Sequence, residues 1–386
     1  MSIDAVDMRP AGVDPVARAA ALAPSLAEHA AETEQSGRLA PASVAAVREA
    51  GLLALTVPPE LGGLGADLRT LAQVAMALGA ACPSTAWVTS LSCFSKKSVG
   101  TGLRGPVRSA YFADPHALVC ATAVAEGHGQ QSADGLRLSG RWRMASGCED
   151  AAWAFLIVPV LRQETPIGVG TALVPVEGLV VERSWRSVGL AGTGSHTLLA
   201  EDVVVPPEYT TSPADRRTPP PAAVTVGAVV AHLAPMIGAA HGALAVLQGV
   251  LAGTRAPSQT TYSRLADSPL ARHRFGQASH LLDTATRRVL DVAGQLDATD
   301  PGHPMPSLER AQLRMRLVSA ATECRQAVEW LLDLHGAGGF DPGNPLQRFW
   351  RDVSVGTRYA GLNPYVTEED HDRLLLGIEP PVSLAL

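Results

Sequence analysis

The stretch RDVSVGTRYAGLNP, Arg351 to Pro364, opens on paired charges and stops at Asn-Pro. Between Asp352 and Pro364 its only titratable side chains are Arg358 and Tyr359, and neither is an ordinary general base near neutral pH. Tyr359 is therefore the group there that would orient a substrate or handle a proton. Guanidinium groups suited to phosphate stand at Arg264, Arg348 and Arg351, because the planar fork donates two hydrogen bonds at once. Arg348 and Asp352 are spaced i, i+4, which favours a helical ion pair instead. Gly336, Gly338 and Gly339 in HGAGGF either let a cofactor tail approach or end the preceding helix. Lys96 and Lys97 could neutralise an acidic substrate, but two lysines at a helix end are read as solvated structural residues.

Several common chemistries lack their signatures. No Walker A sequence is present, and no GxGxxG follows a strand and opens a helix. The three glycines of GLAGTGSH sit between β segments, the wrong setting for a Rossmann turn. The serine-hydrolase elbow GxSxG is missing. His273 and His280 are seven residues apart with only Asp283 near, so they are read as surface or packing histidines and no metal site is expected. A net charge of −6, with no basic patch carrying interleaved aromatics, argues against a nucleic-acid partner.

The elements that would position these residues follow from periodicity. The 386 residues, 46% hydrophobic and 18% charged, allow a large core spread over two or three regions. Five cysteines without CxxC spacing point to a reducing cytoplasm, and no signal peptide or membrane span is expected. Helical spacing dominates from Pro15 to about Gly100, with stops at Gly37 and Gly51 and a cap at Asp67. From Asp114 the period shortens to strand-like runs rich in Val, Leu and Thr. Beyond a Pro-rich connector, helices are expected at about 225–254, 266–297, 307–335 and 345–362. The expected architecture is α+β: a helical N-terminal domain (1–113), an antiparallel β middle domain (114–209), a connector (210–224) and a C-terminal helical bundle (225–386).

Four blocks, in order, resemble the acyl-CoA dehydrogenase fold and within it the two-component flavin-dependent monooxygenases of group D. They are GLLALTVPPELGGLGADLRTLAQVAMALGAACPSTAWV, LRLSGRWRMASGCEDAAWAFL, WRSVGLAGTGSHTLLAEDVVVP and HGAGGFDPGNPLQRFWRDV. The resemblance covers nearly all of residues 15–364. It implies reduced FMN or FAD supplied by a separate reductase, a small-molecule substrate, and a homotetramer or homodimer. It also places Ser146 beside the flavin edge at N5 and O4, with Gly147 for close backbone approach and Trp142 packed nearby. Thr193, Ser195 and His196 would present hydroxyls and N–H groups to the flavin or its phosphate. Arg264, Gly338 and Gly339 are further cofactor candidates.

The departures from that pattern bear on the reaction. A dehydrogenase's proton-abstracting glutamate would fall on Ala360 or on the first long helix after the sheet. No Asp or Glu occurs between Asp215 and Asp267. Dehydrogenation of an acyl-CoA is therefore not expected. The histidines common in the monooxygenases fall on Ser95, eight residues after Trp87, and on Ser354 and Tyr359. With those imidazoles gone, standard phenol hydroxylation looks poorly served, and an amine, a sulfur atom or an acidic carbon centre would need less base help. The leading expectation is monooxygenation, in specialised metabolism such as antibiotic biosynthesis. Dehydrogenation, cyclisation or oxidative coupling on the same scaffold stands second, and a flavin-free cyclase or binding protein third. Trp87, Ser95, Ser146, Ser354 and Tyr359 are the candidate catalytic positions.

Overall fold

A computed structural model of the chain describes residues 14–211, 213, 220–300 and 304–383. Most of the Pro-rich connector lies outside them. Near the N-terminus, α1 (Pro15–Ala21), α2 (Ala23–Glu28) and α3 (Ala30–Ser36) follow almost without a break, and Gly37 closes the run at a φ of 65°. After α4 (Pro41–Glu49), Asp67 caps α5 (Leu68–Gly79) by accepting the Thr70 N–H at 2.7 Å. Then come the 18-residue α6 (Pro83–Gly100) and the short α7 (Gly105–Tyr111).

The middle of the chain forms one sheet from β1 (Leu118–Ala121), β2 (His128–Ser132), β3 (Gly135–Ala145), β4 (Ala151–Arg162), β5 (Thr165–Pro175), β6 (Val180–Glu182), β7 (His196–Val205) and β8 (Thr210–Thr211). Its order is β6-β7-β3-β2-β4-β5-β8, with β1 paired to β4 off that path. The neighbours are mostly antiparallel, as expected. Two pairings are parallel, β1 with β4 and β2 with β4, so the sheet is mixed. Trp142 anchors its inner face and is fully buried.

The C-terminal helices are α8 (Ala222–Ala252), α9 (Pro269–Asp297), α10 (Ser307–His335), α11 (Pro345–Gly356) and α12 (Pro364–Leu375). Helix α8 is long and apolar enough to cross a membrane, yet 72% of its most apolar window is buried inside the protein. It lies against α5, α6, α9, α10 and α11 as the central rod of the helical core. The approach to α5 is close enough that a Cβ on Gly238 would stand 2.1 Å from the Met76 carbonyl oxygen. Asn-Pro, expected to end the chain's last helix, instead begins α12. The Asn363 side chain accepts the Tyr365 N–H at 3.0 Å, and Pro364 occupies the first helical position.

Candidate functional site

Three elements converge on Ser146. It follows β3, where the chain leaves the sheet through an exposed Met144 at a φ of 61°. Gly147 then turns at a φ of 73°, and a Cβ there would sit 2.5 Å from Val88 on α6. Its N–H donates to the Thr193 carbonyl at 2.7 Å, which stitches this turn to the loop before β7. From α6, Trp87 reaches in with its indole.

The polar atoms form a chain whose direction is fixed at both ends. Trp87 Nε1 can only donate, and it does so to Ser146 Oγ at 3.2 Å. At the far end Thr193 Oγ1 donates to the Leu190 carbonyl at 2.8 Å. Ser195 Oγ lies 2.7 Å from both Ser146 Oγ and Thr193 Oγ1. Thr193, having given its proton to Leu190, accepts from Ser195; Ser195 then accepts from Ser146. Every hydroxyl proton is committed along Trp87–Ser146–Ser195–Thr193–Leu190. Ser146 keeps a lone pair and has no proton left to give.

Behind Trp87 stands an imidazole that the sequence comparison did not single out. His232, on α8, meets the indole edge-on at 4.9 Å and stacks on Tyr359 at 3.7 Å with the planes 6° apart. The three rings make one aromatic wall. Burial pushes His232 down to about 4 and pushes the Tyr359 phenol up, the latter opposed by the Arg314 charge. One of two histidines, with His241, in a largely apolar helix, with no acid from 216 to 266, was the available signal.

The loop bearing Thr193 and Ser195 is held from below. Leu190 adopts a φ of 53°, and its N–H is received by Asp352 Oδ1 at 2.5 Å. Asp352 is buried, and burial raises its carboxyl to about 7, opposed by that N–H and by the Arg351 charge. The expected Arg348–Asp352 ion pair does not form. Arg351 instead pairs with Glu34 at 2.6 Å, with Arg348 at 3.9 Å from the same carboxylate.

Other expected site residues lie elsewhere. Trp142 is spent in the sheet core, its Nε1 donating to the Ile157 carbonyl at 3.1 Å. His196 is buried; its Nδ1 accepts the Trp185 N–H, its Nε2 is 3.4 Å from Glu149, and burial lowers its basicity. Arg264 is on the surface, paired with Asp267 at 2.8 Å. Gly338 and Gly339 lie in a 3-10 turn after α10, packed beside His335. Ser95 is buried farther along α6 and Ser354 half-buried on α11, and neither hydroxyl joins the chain around Ser146. Lys96 is not solvated. It is 3% exposed and donates to the carbonyls of Leu53 and Pro115 at 2.7 and 2.8 Å.

Comparison with known proteins decides the family. The model for the acyl-CoA dehydrogenase N-terminal domain matches residues 17–98, and that for the C-terminal domain matches residues 230–364. HsaA of Rhodococcus jostii, the oxygenase subunit of a flavin-dependent monooxygenase, is 30% identical over 357 residues, 89% of this chain and 93% of that protein. The chain belongs to the acyl-CoA dehydrogenase family. Within it, the chain is a flavin-dependent monooxygenase of the oxygenase-component type. XiaF from Streptomyces, solved with FADH2 and glycerol, superposes with a TM-score of 0.90 at 30% identity, covering 96% of this chain and 97% of its own. The oxygenase component of an FADH2-dependent resorcinol hydroxylase from a Rhizobium is 29% identical, covering 95% of this chain and 94% of its own. The dehydrogenase base has no counterpart in this member of the family: Ala360 is exposed and carries no acid, and α8 has no carboxylate.

Proposed function

We propose that this monooxygenase oxygenates a small aromatic molecule, using reduced FMN or FAD delivered by a separate reductase. The observation that carries the reading is the directed hydrogen-bond chain ending in a proton-poor Ser146 beside an aromatic wall. A reduced flavin bears a hydrogen on N5 and an oxidised flavin does not. A hydroxyl that can only accept therefore suits the reduced form. Ser146, with Trp87, Ser195 and Thr193 behind it, would hold that edge of the ring. The exposed Arg186 lines a cavity of about 450 Å³ beside Ala191 and His196 and would receive a phosphate. Bound there, reduced flavin supplies the activation of dioxygen; the protein orients the substrate and keeps water from the reacting atoms.

The rings of Trp87, His232 and Tyr359 favour a flat substrate. Resorcinol hydroxylase is consistent with that class, as are the indole-3-acetate monooxygenases that are 24–25% identical. Exposed apolar side chains near the C-terminus, Tyr365, Leu375, Leu376 and Val382, support self-association as a dimer or tetramer, which light scattering would measure. The test of function is anaerobic titration with reduced FMN and reduced FAD, then admission of 18O-labelled dioxygen with a reductase and a panel of phenols and indoles. Expected are tight retention of reduced flavin and a product carrying one labelled oxygen atom. A protein that retains no flavin overturns the reading.

A further inference from the structure

We infer that His232 Nε2 accepts the hydroxyl proton of a phenolic substrate, so that α8 supplies the substrate-activating group of this oxygenase. The inference rests on the monooxygenase reading above and gives it a substrate class. It starts from the tautomer. His232 Nδ1 lies 2.6 Å from the Ala228 carbonyl oxygen, which can only accept, so Nδ1 carries the hydrogen. Nε2 is then the bare nitrogen. Among the described residues it has no hydrogen-bond partner, and the ring is only partly buried. An unprotonated, unpartnered nitrogen is an acceptor awaiting a donor.

The surroundings keep it in that state. On α6 the neighbours are the neutral Trp87 and Ser90, and the Ser90 hydroxyl is committed to the Ala231 carbonyl at 2.8 Å. After α11 comes Tyr359, whose phenol feels Arg314 of α10. No charged side chain contributes to the lowering of His232, which comes from burial opposed by the bond to Ala228. The imidazole is therefore neutral throughout the physiological range and its lone pair stays available. Trp87 fixes the location as well, because the same indole touches His232 and donates to Ser146. The acceptor for the substrate and the hydroxyl for the flavin flank one ring. Tyr359 is a poor alternative base, since burial raises its phenol above an already high value.

A weak base suffices for this step. As oxygen is added to a carbon ortho or para to the hydroxyl, the ring withdraws electrons from the phenolic oxygen and its O–H becomes strongly acidic. That O–H bond breaks and an Nε2–H bond forms, while the electron pair stays on oxygen as it takes carbonyl character. Loss of the C–H proton at the oxygenated carbon to water, with return of the Nε2 proton to the carbonyl oxygen, then restores the aromatic ring and the neutral imidazole. Dioxygen is the oxidant and reduced flavin the source of two electrons, both belonging to the monooxygenase activity.

The test compares 4-nitrophenol with 4-nitroanisole, which lacks the hydroxyl hydrogen, by calorimetry on the flavin-loaded protein under nitrogen at about pH 5.5, where the phenol keeps its hydrogen and the imidazole is neutral. The wild type is expected to bind the phenol about tenfold more tightly, the worth of one hydrogen bond to a shielded acceptor. His232→Phe keeps the stack with Tyr359 and should erase that preference while retaining flavin. His232→Leu repeats the measurement if the Phe variant does not fold. A preference that survives both substitutions, or a wild type that binds the two compounds equally, overturns the role of His232. Failure to retain flavin at all would instead overturn the function proposed above.

Discussion

At the scale of single residues, two side chains have states set by what surrounds them. Ser146 has its proton committed to Ser195 and its remaining lone pair free, so at the proposed flavin edge it would discriminate between flavins that carry a hydrogen at N5 and flavins that do not. Ser146→Ala should weaken retention of reduced FMN or FAD by about tenfold and leave oxidised flavin nearly unaffected, as read by anaerobic fluorescence titration. Equal losses for both redox states would contradict the directed chain. Tyr359→Phe, by contrast, keeps the ring stacked on His232 and should leave flavin retention unchanged. Asp352 makes a different prediction. Its folded carboxyl titrates near 7 and an unfolded one near 4, so the folded state holds a proton that the unfolded state has lost. The stability this gives is present in full below about pH 4 and disappears as pH rises through 7. Asp352→Asn still offers an oxygen to the Leu190 N–H but cannot ionise. Its melting temperature should be flatter than the wild type's between pH 4 and 7, and at least as high at pH 8.

At the scale of elements, Lys96 fastens α6 to the turns at Leu53 and Pro115, a role opposite to that of a solvated helix-end lysine. Replacing it with Met leaves two carbonyls without their donor and should cost about 2–4 kcal/mol in denaturant unfolding. Burial holds its ammonium down to about 8, against 10.5 for the free group. The folded state therefore binds fewer protons than the unfolded state between those values, and wild-type stability should rise from pH 8 to 10 where the Met variant's does not. The same scale shows what a sequence conveys. Helices α8 to α10 fall close to the ranges set by apolar spacing, and α10 coincides with 307–335, because their buried faces repeat every three or four residues, whereas α11 ends at Gly356, short of the expected 362. Ser146, Thr193 and Ser195 were legible as a group through their short motifs. His232 was not, since its neighbours in sequence are apolar and its partners Trp87 and Tyr359 come from distant elements. Nor did the strand-like runs around β1 and β2 reveal parallel pairing with β4, which depends on how the chain crosses over and not on alternation. At Asn363-Pro364, a pair that stops one helix also starts the next, and local chemistry alone does not choose between them.

At the scale of the whole molecule, the last helix is fastened to the bundle by a buried ion pair. Arg314 on α10 is 4% exposed and Asp370 on α12 wholly buried, and they meet at 3.1 Å. Arg314 also donates to Thr367 and Ser383, while Asp370 Oδ1 takes the N–H groups of Val382 and Ser383 at 2.8 and 3.1 Å. The pair thus ties α12 and the chain beyond it to the centre of the bundle, just after Tyr359 has been laid on His232. Asp370→Ala would leave a buried guanidinium without its carboxylate, at a cost of about 3–5 kcal/mol. Because that loss falls on one attachment, α12 should open before the rest of the fold. Hydrogen exchange should speed up across residues 360–383 while α5 and α8 stay protected. Exchange that accelerates equally everywhere would mean α12 is not a separately attached unit. Arg314→Met combined with Asp370→Leu removes both charges and should recover much of the lost stability, since neither ion is then stranded in the core. If Tyr359 depends on this attachment, the double variant should also regain the preference for 4-nitrophenol over 4-nitroanisole that Asp370→Ala loses. Recovery of stability without recovery of that preference would separate the packing of α12 from the ordering of the site.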